Sequence, residues 1–140
     1  MDTTYRIGNQ DDAFMIRRKV FIEEQGFSDE FDTIDTTKAH HITVYTKGVC
    51  IGCSRIFPDD ESANTFIFGR LAVMPEYRTC GIGSAILAFS EETARAAGAN
   101  CMKLHAQCRV TPFYEKLGYQ AFGPVELDEH VEHIWMKKQL

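Results

Sequence analysis

The sequence predicts an α/β (α+β) protein built on one mixed, mostly antiparallel sheet of six to seven strands with helices on both faces, in the order β-α-β-β-β-α-β-α-β-β. Three observations predict it. Three strand-like runs follow one another between His40 and Val73 without a helical period between them, which argues against a doubly wound parallel array with a crossover helix after every strand. Two runs, near Asp12 and Ile82, carry apolar residues at helical spacing, and a third short one opens at Thr111-Pro112. The length of 140 residues is that of one compact unit, so 1–140 is expected to be a single domain with one core.

Thr4 to Ile7 forms a short first strand, after which Asn9 or Asp11 caps a helix from about Asp12 to Gln25, ended by Gly26. Ala13, Ile16 and Val20 share its buried face, with Phe14 and Phe21 beside them, and Arg17, Arg18 and Lys19 are expected on the wet side. Six acids and no base lie between Glu23 and Asp35. They read either as a solvated loop or as the wall of a pocket for an amine, because fixed carboxylates near a cleft concentrate cations. His40 to Tyr45 and Val49 to Phe57 form a hairpin turned at Thr46-Lys47-Gly48. After the polar turn Pro58 to Ser62, Asn64 to Val73 is a third strand. Ile82, Ala85, Ile86 and Phe89, continued by Thr93, Ala96 and Ala97, mark the buried face of the next helix, and Gly98 ends it. Cys101 to Gln107 is a strand, Thr111 to Leu117 a short helix stopped by Gly118, and Tyr119 to Phe122 and His133 to Lys137 the last strands, separated by an acidic loop.

Composition narrows the function. The start lacks a basic segment leading into an apolar core, and no run of about 18 apolar residues occurs, so neither secretion nor membrane insertion is expected. A net charge of −5 argues against nucleic acid as a partner and suits a site that attracts cations. Five cysteines, an odd number scattered through the chain, imply reduced thiols and a cytoplasmic location. Cys50 and Cys53 are three apart on a strand and point to opposite faces, so they read as packed thiols. Neither His40 and His41 nor His130 and His133 converge on one face, and no metal is assigned.

The stretch from Gly69 to Gly83 is the chemical centre. An apolar strand end stops before Pro75, and Gly81 and Gly83 open a helix whose first N–H groups lack intrahelical partners, a ready anion site that the glycines let an anion approach. A P-loop would need a Lys after the second glycine, and a dinucleotide fingerprint a small residue where Ile86 stands.

Arg78-x-x-Gly81-x-Gly83 at a strand-to-helix junction, followed by Pro112-Phe113-Tyr114-Glu115-Lys116-Leu117-Gly118-Tyr119, resembles the GNAT family of acetyl-CoA-dependent N-acetyltransferases over nearly the whole chain. Arg18 to Gly26 and His133-Ile134-Trp135-Met136 are similar to its small bacterial ElaA and YjcF branch. The resemblance implies the GNAT fold and acetyl-CoA as co-substrate. It implies that amides of Thr79, Cys80, Gly81, Ile82, Gly83 and Ser84 cradle the coenzyme A pyrophosphate with Arg78 near its charge. Leu71, Ala72 and Val73 would meet the pantetheine arm where the sheet splays, with a backbone N–H there as oxyanion donor. Tyr114 takes the position of the acid that serves the leaving thiolate. Many family members carry a Glu on the central strand as base; here Gly69 and Arg70 stand there, and Glu24 and His133 are the alternatives. Cys80 is either a thiol activated by the positive turn or a filler whose backbone does the binding.

The implied activity is acetyl transfer to a primary amine of a small molecule or peptide, cationic in view of the acidic loops, in a monomer or homodimer. The alternatives are a non-catalytic acyl-CoA-binding or sensing module of the same fold and a glycine turn that merely caps a structural helix.

Overall fold

The computed structural model describes residues 1–140. Its strands are β1 (Thr4–Ile7), β2 (His40–Thr46), β3 (Val49–Pro58), β4 (Thr65–Val73), β5 (Cys101–Gln107), β6 (Gln120–Asp128) and β7 (Val131–Gln139). The α-helices are α1 (Gln10–Arg17), α2 (Ile34–Thr37), α3 (Ile82–Ala96) and α4 (Thr111–Lys116), and α1 continues as a π-helical segment, Arg18–Glu24. All seven strands form one sheet in the order β1-β2-β3-β4-β5-β7-β6. The β4–β5 pair is parallel and every other pair antiparallel. The Lys47-Gly48 turn joins β2 to β3 with φ +50° and +78° and with Thr46 opposite Val49, the two-residue turn whose twist suits a hairpin.

The first helix departs from its predicted form. A Gln25 N–H donates to Val20 O (3.1 Å), a five-residue step that widens the helix before Gly26, at φ +79°, ends it. Asn9 stands at the N-cap position without a side-chain cap bond. Arg17 is not on the wet side: only 1% of it is exposed. Its position explains this, since Ala13, Ile16, Arg17 and Val20 fall at i, i+3, i+4 and i+7 and form one buried stripe.

Burying Arg17 changes the meaning of the acidic stretch. Its guanidinium pairs with Glu30 (3.0 Å) and Asp35 (2.7 Å), Arg55 pairs with Asp32 (2.7 Å) and Asp35 (2.9 Å), and Arg70 pairs with Glu30 (2.9 Å). Three carboxylates from one segment thus neutralise three arginines from α1, β3 and β4. Through these three carboxylates the segment is a strap pinned across the sheet rather than a solvated loop, and Asp29, on the same segment, has no cation on its side chain and lines a cavity. Burial pushes the Asp35 carboxyl up, but its hydrogen bonds to Arg17 and to the Asp32 backbone, with the charges of Arg17 and Arg55, hold it well below the usual carboxylate range. Arg17 also lies over Phe14 and Phe31, 5.2 and 5.0 Å from the ring centres.

The buried stripe of α3 is rotated from the predicted one. Ile82, Ile86, Leu87, Ser90, Glu91 and Ala94 are buried, whereas Ala96 and Ala97 are exposed. Two polar residues occupy the core face because partners wait there: Ser54 Oγ lies 2.9 Å from Ser90 Oγ, and Glu91 accepts from the Tyr119 hydroxyl (2.8 Å) and from Lys138 (3.1 Å). Close packing of α3 on β3 requires Gly52, where a Cβ would stand 2.9 Å from Ile86 Cδ1 and 3.0 Å from Ala72 O.

Two further expectations are corrected. Cys50 and Cys53 belong to the same buried cluster, because one extra β3 residue, Ile51, lies between the Tyr45–Cys50 and Val44–Gly52 pairs and resets the alternation. Both thiols are free, and burial pushes Cys50 up to about 11. The acidic stretch before His133 is not a loop: Glu126, Leu127 and Asp128 pair along β7, and the turn occupies only Glu129 and His130.

Candidate functional site

The sheet opens at the parallel pair. Pairing between β4 and β5 runs from Thr65 opposite Cys101 to Phe68 opposite Leu104 and then stops, while β5 stays paired to β7 through Gln107 opposite His133. On the other side of β4, Arg55 faces Gly69 and Cys53 faces Ala72, so one β3 residue, Ser54, spans two on β4, Arg70 and Leu71. Arg70 takes φ +54° to make this bulge. Gly69 to Val73 therefore has an edge no strand covers on the β5 side, where backbone groups are available to an added peptide-like chain.

Two cavities adjoin this gap and share Gln25, Leu71, Arg78, Arg109 and Phe113. The first, about 480 Å³, lies at the N-terminus of α3. Its lining contains Leu71, Ala72, Val73, Arg78, Thr79, Gly81, Ile82, Gly83 and Ser84, so nine of the ten residues expected from the sequence come together; Cys80 is exposed and outside the lining. Thr79 and Gly81 have φ of +66° and +80°, and α3 begins with no side-chain cap. Its first backbone acceptor is used by Ala85, whose N–H bonds to Gly81 O (3.1 Å), which leaves the earlier amides of the turn for another acceptor. A Cβ on Gly83 would meet Phe113 Cζ at 3.4 Å. This turn fits a phosphate-bearing arm.

Arg78 is held across this cavity. Its Nε donates to Val73 O (2.9 Å), and its two terminal nitrogens donate to Glu24 Oε2 (2.7 Å) and Oε1 (2.6 Å). The bond to Arg78 holds the Glu24 carboxyl below its ordinary range. Glu24 thus sits beside the glycine turn, bound to Arg78, and its basicity is reduced.

The second cavity, about 600 Å³, runs beneath the strap and is lined among others by Arg70, His105, Tyr114, His133 and Trp135. Tyr114 projects from α4, 8% exposed, packed edge-on against Phe113 and Tyr119, and its hydroxyl bonds to no protein group. Burial pushes its phenol upward, so it holds its proton throughout the neutral range. His133, on β7, is 6% exposed and places Nδ1 3.0 Å from Val131 O. A carbonyl can only accept, so Nδ1 carries the hydrogen and Nε2 of the neutral ring carries the lone pair.

Tyr114 and His133 therefore share one cavity, and Glu24 lines the other. Several lining groups have no sequence motif. Gln107 Nε2 donates to Gln25 Oε1 (2.8 Å), tying β5 to the end of the first helix, and Arg109 lines both cavities. The strap and the β6–β7 turn close the far end: Glu129 accepts from Ser28 N and Asp29 N (both 2.9 Å), and His130 Nε2 lies 2.8 Å from Gln25 O.

A mixed sheet split beside its parallel pair, with an amide-rich helix end at the mouth of the gap, defines the fold of the acyl-CoA N-acyltransferases. The model of the Acetyltransferase (GNAT) family matches residues 10–119, and the chain belongs to that family of acyl-transferring proteins. YyaT of Bacillus subtilis is 35% identical over 133 residues, 92% of this chain and 88% of YyaT. YjcF of the same organism, named an uncharacterized N-acetyltransferase, is 32% identical over 130 residues, 91% of this chain and 90% of YjcF. Among solved structures, a Lactobacillus plantarum protein superposes with a TM-score of 0.91 at 27% identity, covering 100% of this chain and 99% of that one. Escherichia coli ElaA shares the fold with a TM-score of 0.87 at 20% identity over 99% of this chain and 100% of ElaA. No helix is long and apolar enough to cross a membrane.

Proposed function

We propose that this protein transfers the acetyl group of acetyl-CoA to a primary amine by direct attack of the amine nitrogen. The observation that carries the reading is that the two cavities share five lining residues beside the gap at β4, with the glycine turn lining one and Tyr114 and His133 lining the other. Acetyl-CoA supplies the activated acyl carbon. The turn from Thr79 to Ser84 holds its pyrophosphate, and the bare edge of Leu71 to Val73 holds the pantetheine arm. Backbone N–H groups on that edge donate to the carbonyl oxygen as it gains charge, a contribution of roughly 3 kcal/mol per donor. His133 Nε2 takes the proton from the attacking nitrogen, directly or through one water. Tyr114 gives its phenolic proton to the sulfur as the C–S bond breaks, the thiol leaves protonated, and the proton that His133 took from the amine returns through solvent to restore the phenol.

Of the two bases considered from the sequence, this reading takes His133, because Glu24 is committed to Arg78. His133→Gln is expected to lower kcat/KM about 100-fold while leaving acetyl-CoA affinity unchanged. Calorimetric titration and thiol release measured on the same preparation check it, and wild-type kcat/KM in the variant removes His133 from the mechanism.

A further inference from the structure

The second cavity has a wall that acetyl-CoA does not need. His105 stands opposite Trp135, and Gln107 opposite His133, across the β5–β7 ladder, so these four side chains share one face of the half-sheet beyond the gap. The opposite face carries Met102, Leu104, Ala106 and Met136 into the core. On the cavity face the rings form a series: Phe27 to His133 at 6.5 Å between centres, His133 to His105 at 5.0 Å, and His105 to Trp135 at 4.7 Å with an interplanar angle of 24°. All four rings line the cavity.

The charge around this wall separates by end. Arg17, Arg55 and Arg70 are matched by Glu30, Asp32 and Asp35, and Arg78 is matched by Glu24. Arg109 acts on Glu24 and lines both cavities. Asp29 and Asp128 line the strap end with no cation on either side chain. Burial, together with the neighbouring His133, lowers the His105 pKa against the pull of Glu126 and Asp128, so the His105 ring favours its neutral form. A ring series with carboxylates at its rim suits a planar π system attached to a cationic amine.

We infer that the His105, Trp135 and His133 wall is an aromatic subsite, and that the acceptor is a primary amine carrying an aromatic ring that packs against it. This deepens the acetyl-transfer reading and rests on it for the term acceptor, but its test is a binding measurement that needs no turnover. Phenethylamine and cyclohexylethylamine have the same carbon skeleton and ammonium group, and only the first has a π system. Titrated calorimetrically into the full-length protein with coenzyme A present, phenethylamine is expected to bind about 3- to 10-fold more tightly, the range ring stacking supplies beyond area burial. Trp135 is the only tryptophan, so phenethylamine is also expected to perturb its emission.

Trp135→Leu should abolish the preference and leave cyclohexylethylamine affinity unchanged, and Trp135→Phe, which keeps a ring, should retain most of it. Equal affinities in the wild type, no binding of either amine, or a preference that survives in a folded Trp135→Leu variant would overturn the subsite. Thiol release is assayed in parallel: absence of turnover with phenethylamine bound to the wild type and the preference intact defeats acetyl transfer and leaves the aromatic subsite standing.

Discussion

Asp35→Ala is expected to destabilise the protein by about 3–5 kcal/mol, the cost of breaking a buried pair by removing one partner. Asp35 is 3% exposed and accepts from both terminal nitrogens of Arg17 (2.7 and 3.0 Å) and from Arg55 Nη1 (2.9 Å). Without it, Arg55 keeps only half-exposed Asp32, and Arg17 keeps only Glu30. Urea denaturation checks the value, and a loss below about 1 kcal/mol would place the pair among those that contribute little. The same contact has a pH signature. A carboxyl held below its unfolded pKa binds fewer protons in the native state, so its contribution is complete above about pH 4 and fades as the pH falls further. Asp32 and Asp59 are shifted in the same direction. The urea midpoint of the wild type should therefore drop on acidification below about pH 4 more steeply than that of Asp35→Ala.

Tyr114→Phe is expected to lower kcat about 100-fold, within the range for a positioned proton donor, while leaving KM for acetyl-CoA and the melting temperature close to wild type. The hydroxyl makes no bond inside the protein, so phenylalanine keeps the ring packing against Phe113 and Tyr119 and removes only the group facing the cavity. Unchanged stability excludes a merely structural role. A Tyr114→Phe enzyme with wild-type turnover would remove Tyr114 from the chemistry and leave the departing sulfur to solvent.

The parts of the fold that follow from local chemistry were legible in the chain. Lys47-Gly48 announces the hairpin turn, Gly98 and Gly118 stop their helices, and the glycine turn before Ile82 marks the helix end that adjoins the cavity. What the chain concealed depends on long-range pairing. Arg17 looked solvated by residue type, yet its place at i+4 from Ala13 puts it on the buried stripe, and the partners that permit this lie 13 and 18 residues away. Without those partners in view, the six acids between Glu23 and Asp35 read as a solvated loop or as a pocket wall. The phase of α3 was lost for the same reason, since Ser90 and Glu91 are buried only because Ser54, Tyr119 and Lys138 receive them. Tyr114 could be singled out by motif. His133 and Trp135 lay in a motif too, but their series with His105 exists only once β5 and β7 are in register.

The most direct test of the acetyl-transfer reading is release of free coenzyme A thiol from acetyl-CoA by the purified protein, with and without primary amines, with the amine product weighed by mass spectrometry. The reading predicts thiol release that depends on the amine and a gain of one acetyl group on its nitrogen. Tight binding of acetyl-CoA, seen as a rise in melting temperature, with no amine-dependent thiol release from any aromatic or aliphatic primary amine, would contradict it and identify the protein as an acyl-CoA-binding module.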